Sequence, residues 1–163
     1  MRIAVQLALT AMLALCASAT VAQDFEKGLS AYNAGDYQTA FNEWKPLAEQ
    51  GDGDAQFNLG LMYETGDGAA RDYAEAIKWY RLAARQGVTK AHNNLGLLYE
   101  LGTGVLQNNV TAHMWYNIAS ANGNEKSAKW RDEIAAKMTP EDISKAQAMA
   151  SDCISSGYEN CGE

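Results

Sequence analysis

The sequence predicts an all-α protein, an α/α solenoid of stacked helix-loop-helix repeats closed by a C-terminal helical cap. Three observations predict it. Residues 53–88 recur as 89–124 with 14 identities in 36 positions and no gap, where unrelated segments of this composition would share roughly two. Apolar residues within each copy fall at i, i+4 and i+7, the stripe of an amphipathic helix. Glycines and capping residues interrupt the copies where helices must stop and start. A period of this length marks units that bury their apolar faces only by stacking on one another.

The N-terminus reads as an export signal, residues 1–22, and is set aside from the fold. Met1-Arg2 is a short positive start, Ile3 to Leu15 is nearly all apolar, and small residues gather from Ala17 to Ala22. Cleavage after Ala22 is expected, with Ala19 as the alternative. The apolar stretch falls short of the roughly 20 residues needed to span a bilayer. A lipid anchor on Cys16 is disfavoured by the bulky Leu15 before it. The signal has a bacterial look, so a periplasmic or secreted location is expected. The remaining chain is long enough for one continuous core. The 163-residue chain carries a net charge of −7 and no basic run, a poor match to nucleic acid or anionic membrane surfaces.

Residues 23–52 form a first, shortened unit. Asp36, Tyr37, Ala40, Ala48, Gln50 and Gly51 precede Asp72, Tyr73, Ala76, Ala84, Gln86 and Gly87 by one period, whereas Gly28 precedes Gly60 by four residues less. Gly35-Asp36 therefore replaces a full loop with a tight turn. In the first full repeat, Ala55, Leu59 and Met62 make the stripe of its first helix. Gly60 lies beside that stripe, and a glycine inside a helix costs up to about 1 kcal/mol, so close approach by a neighbouring helix is expected there. Gly66 is placed to end the helix in the left-handed conformation. Asp72 caps the second helix, with Glu75 three residues on as a capping box. That helix carries Ala76, Trp79, Tyr80 and Ala83 and stops at Gly87. The second repeat restates each step with Ala91, Leu95, Leu98, Gly96, Gly102 and Asn108, then Ala112, Trp115, Tyr116, Ala119 and Gly123.

Residues 125–163 form the cap. A helix opening at Ser127-Ala128 has Arg131-Asp132 in place of the Leu-Gly pair, with Trp130, Ile134 and Met138 as its stripe. Thr139-Pro140-Glu141-Asp142 is a strong helix start, and Ile143, Ala146, Ala150 and Cys153 give the last helix its apolar face. Cys153 and Cys161 survive signal cleavage as a pair. In an oxidising compartment they read as a disulfide, worth about 2.5 kcal/mol at most for so short a loop.

The pattern Ala-x-x-x-Leu-Gly-x-x-Tyr-x-x-Gly-x-Gly, then Ala-x-x-Trp-Tyr-x-x-Ala and a closing glycine, resembles the Sel-1-like repeat, a tetratricopeptide-type α/α solenoid. Residues 53–88 and 89–124 fit it, and the first unit is closer to an ordinary tetratricopeptide unit. The tail from Met138 to Cys161 is similar to an ending of exported bacterial members. The resemblance implies a non-catalytic adaptor, scaffold or envelope regulator that binds a protein or peptide on the concave face lined by first helices. Carried over by position, that face presents Phe25, Leu29 and Tyr32, then Phe57, Leu61 and Glu64, then Asn93, Leu97 and Glu100. Glu64 and Glu100 would form an acidic stripe suited to a basic peptide.

Chemistry is weakly signalled. Gly66-Asp67-Gly68 and Gly102-Thr103-Gly104 are helix-ending turns, since no strand precedes them and no phosphate-binding lysine follows. His92 and His113 have no triad or metal partners at obvious spacing and are expected to be solvated or structural. No cofactor and no metal is expected. Ser30, Ser120, Ser127 and Ser144 read as helix-surface or capping residues. The alternative function is a cell-wall or β-lactam hydrolase, an activity associated with cysteine-rich relatives. Their repeats each carry a cysteine pair, which these lack.

Overall fold

The computed structural model describes residues 25–161, and the signal-like segment lies outside them. Eight helices follow one another: α1 (25–33), α2 (Tyr37–Glu49), α3 (Gly53–Thr65), α4 (Tyr73–Arg85), α5 (Thr89–Leu101), α6 (Asn109–Ala121), α7 (Glu125–Ala135) and α8 (Pro140–Ser155). No strand occurs among the described residues. The pairs α3–α4 and α5–α6 are the two full repeats, and α2–α3, α4–α5 and α6–α7 pack across the unit boundaries.

Local chemistry sets the helix ends. Gly66 and Gly102 close α3 and α5 at φ 87° and 67°, each donating its N–H back to a carbonyl of the last turn. The Asp72 carboxylate accepts from the amides of Ala74 and Glu75, and the Asn108 side chain accepts from the Thr111 amide. The capping box differs from expectation: Glu75 turns its carboxylate to Lys78 at 3.2 Å. The cap's first helix begins two residues earlier than its sequence implied, because Asn124 accepts from the Ser127 amide and caps it. Thr139 caps α8 with Pro140 in its first turn.

The helix-interior glycines are explained by aromatic rings. A Cβ on Gly60 would lie 2.5 Å from the Tyr80 ring, one on Gly96 2.5 Å from the Tyr116 ring, and one on Gly28 2.5 Å from the Trp44 indole. Such distances are well inside van der Waals contact. The close approach is thus made by the second helix of the same unit, through one large ring. The shortened first unit follows the same rule despite its missing four residues.

The cap departs from a simple continuation of the stack. α7 continues it, burying Ile134 with Ala112 and Tyr116. α8 packs principally on α6, and Ala146, Ala150 and Cys153 enter the core of α4–α6. Asp132 stands in α7 where Gly60 and Gly96 stand in the repeats. The next helix, α8, lies on α6 rather than pairing with α7 as a second helix would.

Candidate partner-binding surface

The first helices carry every residue of the sequence-derived site, and all of them are half-buried. In the first unit the Tyr32 ring lies 5.6 Å from Trp44 and 5.1 Å from Tyr37. Burial raises its hydroxyl pKa, and the Asp67 carboxylate adds to the shift. In the first full repeat the Phe57 ring packs at 5.6 Å on Tyr80, with the Lys90 ammonium 5.9 Å from its centroid. Leu61 and Leu97 occupy equivalent half-buried places on α3 and α5.

Glu64 and Glu100 are held in place from behind. The Tyr80 hydroxyl donates to Glu64 Oε2 at 2.6 Å, and the Tyr116 hydroxyl donates to Glu100 Oε2 at 2.7 Å. Charge-assisted bonds of this kind are short and strong. Burial first, then the carboxylate beside it, pushes both phenol pKa values up, so both remain protonated donors. Each glutamate therefore keeps one carboxylate oxygen outside this bond. In the first unit Tyr32 stands in place of the glutamate and Trp44 in place of the tyrosine, so a ring pair replaces the hydrogen bond.

Bonds across unit boundaries complete the row. Asn94 Nδ2 donates to the Tyr80 hydroxyl at 3.0 Å, tying α5 to α4. Asn93 accepts at its Oδ1 from the Ser127 hydroxyl at 2.7 Å and donates weakly to Asn94. Ser127 is fully buried, a correction to its reading as a surface or capping hydroxyl. Its Oγ links α7 to α5, so the cap joins the row through a polar contact. In place of Asn94, the next unit has Trp130, whose ring packs at 5.7 Å on Tyr116.

The histidines are structural. His92 Nε2 lies 3.0 Å from the Ala84 carbonyl, the same place where Gln56 Nε2 donates to the Ala48 carbonyl one period earlier. Its ring lies between Trp115 at 5.7 Å and Tyr158 at 5.1 Å. Burial lowers its pKa to about 4, with the Ala84 carbonyl opposing the shift. His113 is buried beside α7, and burial, with Arg131 adding to it, lowers its pKa. Cys153 and Cys161 are both buried, with Cα atoms 4.7 Å apart and their sulfurs in bonding contact. Among the described residues no cluster of three or more metal-ligating side chains occurs, and no helix is long and apolar enough to cross a membrane.

Sequence reasoning missed the bridging roles of Tyr80, Asn94 and Ser127. Tyr80 and Asn94 had a signal, because Tyr116 and Asn58 repeat them one period away. Ser127 had none, since the residues one and two periods before it are Ala91 and Ala55.

Comparison with known proteins points the same way. The Sel1 repeat pattern matches residues 53–88 and 89–124. A Sel1 repeat protein from Oxalobacter formigenes is 33% identical with a TM-score of 0.64, over 77% of this chain and 97% of that one. A protective antigen of uropathogenic Escherichia coli strains, displaying an SLR fold, is 27% identical with a TM-score of 0.80. It covers 85% of this chain, which spans only 31% of that longer protein. No curated protein sequence matches.

Proposed function

Because the chain belongs to the Sel1 repeat family, whose repeats generally mediate protein–protein interactions, we propose that it is an exported, non-catalytic binding protein. Its first-helix row holds a basic peptide or protein segment, and it acts as an adaptor, scaffold or envelope regulator. One observation carries this reading: Glu64 and Glu100, one period apart, are fixed by Tyr80 and Tyr116 with one carboxylate oxygen each left outside the bond. Two prealigned acids on a rigid scaffold bind cations with little ordering cost. Asn93, Tyr32, Phe57, Leu61 and Leu97 supply polar and apolar contacts around them. A Cys153–Cys161 disulfide formed after export would staple the cap.

The test uses the processed protein and a fluorescein-labelled peptide of alternating lysine and alanine, followed by anisotropy. Saturable binding that weakens at least tenfold in Glu64→Lys/Glu100→Lys, and falls with added salt, is expected. Equal binding by the double variant removes the acidic row from the proposal. Cell fractionation that leaves the protein in the cytoplasm removes export. Turnover of a chromogenic β-lactam would restore the hydrolase alternative.

A further inference from the structure

After α8 ends, residues 156–161 run back across the boundary between the two full repeats. The Tyr158 ring lies 5.1 Å from His92 on α5. The same ring covers the turn between α4 and α5, where a Cβ on Gly87 would lie 3.2 Å from its Cε2. Its hydroxyl donates to Asn122 Oδ1 at 3.1 Å, at the end of α6. Three residues on, Cys161 is buried and borders a small cavity with Arg81 and Arg85 of α4 and Trp115 of α6. One short segment thus touches α4, α5 and α6 at once.

Little besides the cysteine pair holds this segment down. Gly157, Glu159 and Asn160 are exposed, and Tyr158 is half-buried. Tyr158 is the single non-glycine residue with left-handed backbone among the described residues, at φ 70°. A bulky side chain adopts that conformation only where its surroundings impose it. Cys153 is fully buried on α8 and belongs to the core of α4–α6, so it is the fixed end. Two thiols need non-bonded separation, and on reduction Cys161 is the one that must move.

We propose that residues 156–161 are a redox-set strap. Joined to Cys153, the strap clamps the boundary between the repeats; reduced, it lifts from His92 and Trp115 and loosens that boundary. Setting it forms the bond between the two sulfurs and passes two electrons and two protons to a disulfide oxidant, which leaves as a dithiol. A dithiol reductant reverses the exchange. Both cysteines are buried in the set state, so an outside thiol reaches them only after local opening, and the strap once set persists. Glu64 and Glu100 take no part in it, so it stands independently of the acidic row.

Amide hydrogen exchange of the processed protein, read from nitrogen-15 spectra, compares the oxidised form with the form reduced by dithiothreitol. Reduction should speed exchange about tenfold or more at the amides of Tyr158 and His92, while α2 and α3 exchange as before. Cys153→Ala/Cys161→Ala should match the reduced protein with no reductant added. Tyr158→Ala, with the disulfide kept, should speed exchange at His92 similarly, because the ring is the clamp. Unchanged exchange at His92 in either the reduced protein or Tyr158→Ala would overturn the strap. Equal acceleration throughout the chain would also overturn it, because the disulfide would then add only to global stability. So would two free thiols, or a disulfide joining two chains, in protein taken from its native cells with thiols alkylated at lysis.

Discussion

The two full repeats share an interior and differ at the places where their neighbours differ. Ala55, Leu59, Gly60, Ala76, Tyr80 and Ala83 are buried, as are Ala91, Leu95, Gly96, Ala112, Tyr116 and Ala119. These shared residues join the two helices of one unit. The differences fall on the outer face of the second helix and at the boundary to the next unit. Lys78 is exposed where Met114 is buried, because α8 packs principally on α6. A repeated interior therefore makes each unit, and its unrepeated edges decide what each unit can hold.

The comparison is broken most severely at the shared interior. Gly60→Val and Gly96→Val each drive a branched side chain into a tyrosine ring, with the first added carbon already 2.5 Å away. Both variants should lose at least about 3 kcal/mol, with failure to fold as the upper limit. Thermal melts by circular dichroism measure it. A melting temperature within a degree or two of the parent for either variant would contradict the ring-on-glycine packing.

An exchange of the outer-face residues should then separate the two units. Met114→Lys buries an unpaired ammonium under α8 and should cost roughly 3 kcal/mol or more. The reverse change, Lys78→Met, sits in solvent and loses an exposed pair with Glu75 at 3.2 Å and an exposed ammonium 5.7 Å from the Trp79 ring, so its effect should stay within about 0.5 kcal/mol. Urea titrations of both variants give the two numbers. Equal costs would mean that α8 does not distinguish the repeats.

The pH dependence of stability sharpens the same contrast at the unit boundary. His92 is held neutral, its pKa lowered to about 4 by burial, whereas an unfolded histidine titrates near 6.5. A depressed histidine pKa means that the unfolded chain takes up the proton first. The His92 contribution should therefore be complete above about pH 6.5 and fall as the pH drops toward 4, by roughly 3 kcal/mol, with His113 adding to the loss in the same direction. His92→Gln copies the residue that makes the equivalent bond in the first repeat. It should flatten this slope while costing about 1 kcal/mol at neutral pH for the lost ring packing. Urea midpoints between pH 4 and 7 measure both effects, and an unchanged slope in the variant would show that His92 is not its source.

Much of this architecture was legible in the sequence because backbone requirements are local. Gly66 and Gly102 announce left-handed helix ends, Asp72 and Asn108 announce caps, and the period itself announces stacking. The direction of α8 was not legible. It depends on contacts that Ala146, Ala150 and Cys153 make with helices distant in sequence. The candidate site was half legible. The positions of Glu64 and Glu100 followed from the period, but the tyrosines beneath them looked like packing residues, because a ring and its hydroxyl serve different neighbours. His92 was hidden for a related reason: its role is defined by the Ala84 carbonyl, which any residue at that position would present.

The smallest effect tests how far the two units are coupled. The Tyr80 hydroxyl has two partners, donating to Glu64 within its unit and accepting from Asn94 across the boundary. Tyr116 has the glutamate, but Trp130 replaces the asparagine and packs on it as a tilted ring pair. Removing a hydroxyl from either site leaves a carboxylate oxygen to find water, a cost of about 1–2 kcal/mol. Tyr80→Phe also strands the Asn94 amide, so it should cost about 0.5–1 kcal/mol more than Tyr116→Phe. The excess belongs to the boundary, and a double-mutant cycle with Asn94→Ala isolates it. If Tyr80→Phe and Asn94→Ala simply add, the Tyr80–Asn94 bond contributes nothing to the boundary, which is then held by apolar packing and by the His92–Ala84 and Arg81–Tyr99 contacts. The hydroxyl then serves to aim Glu64 rather than to link the units.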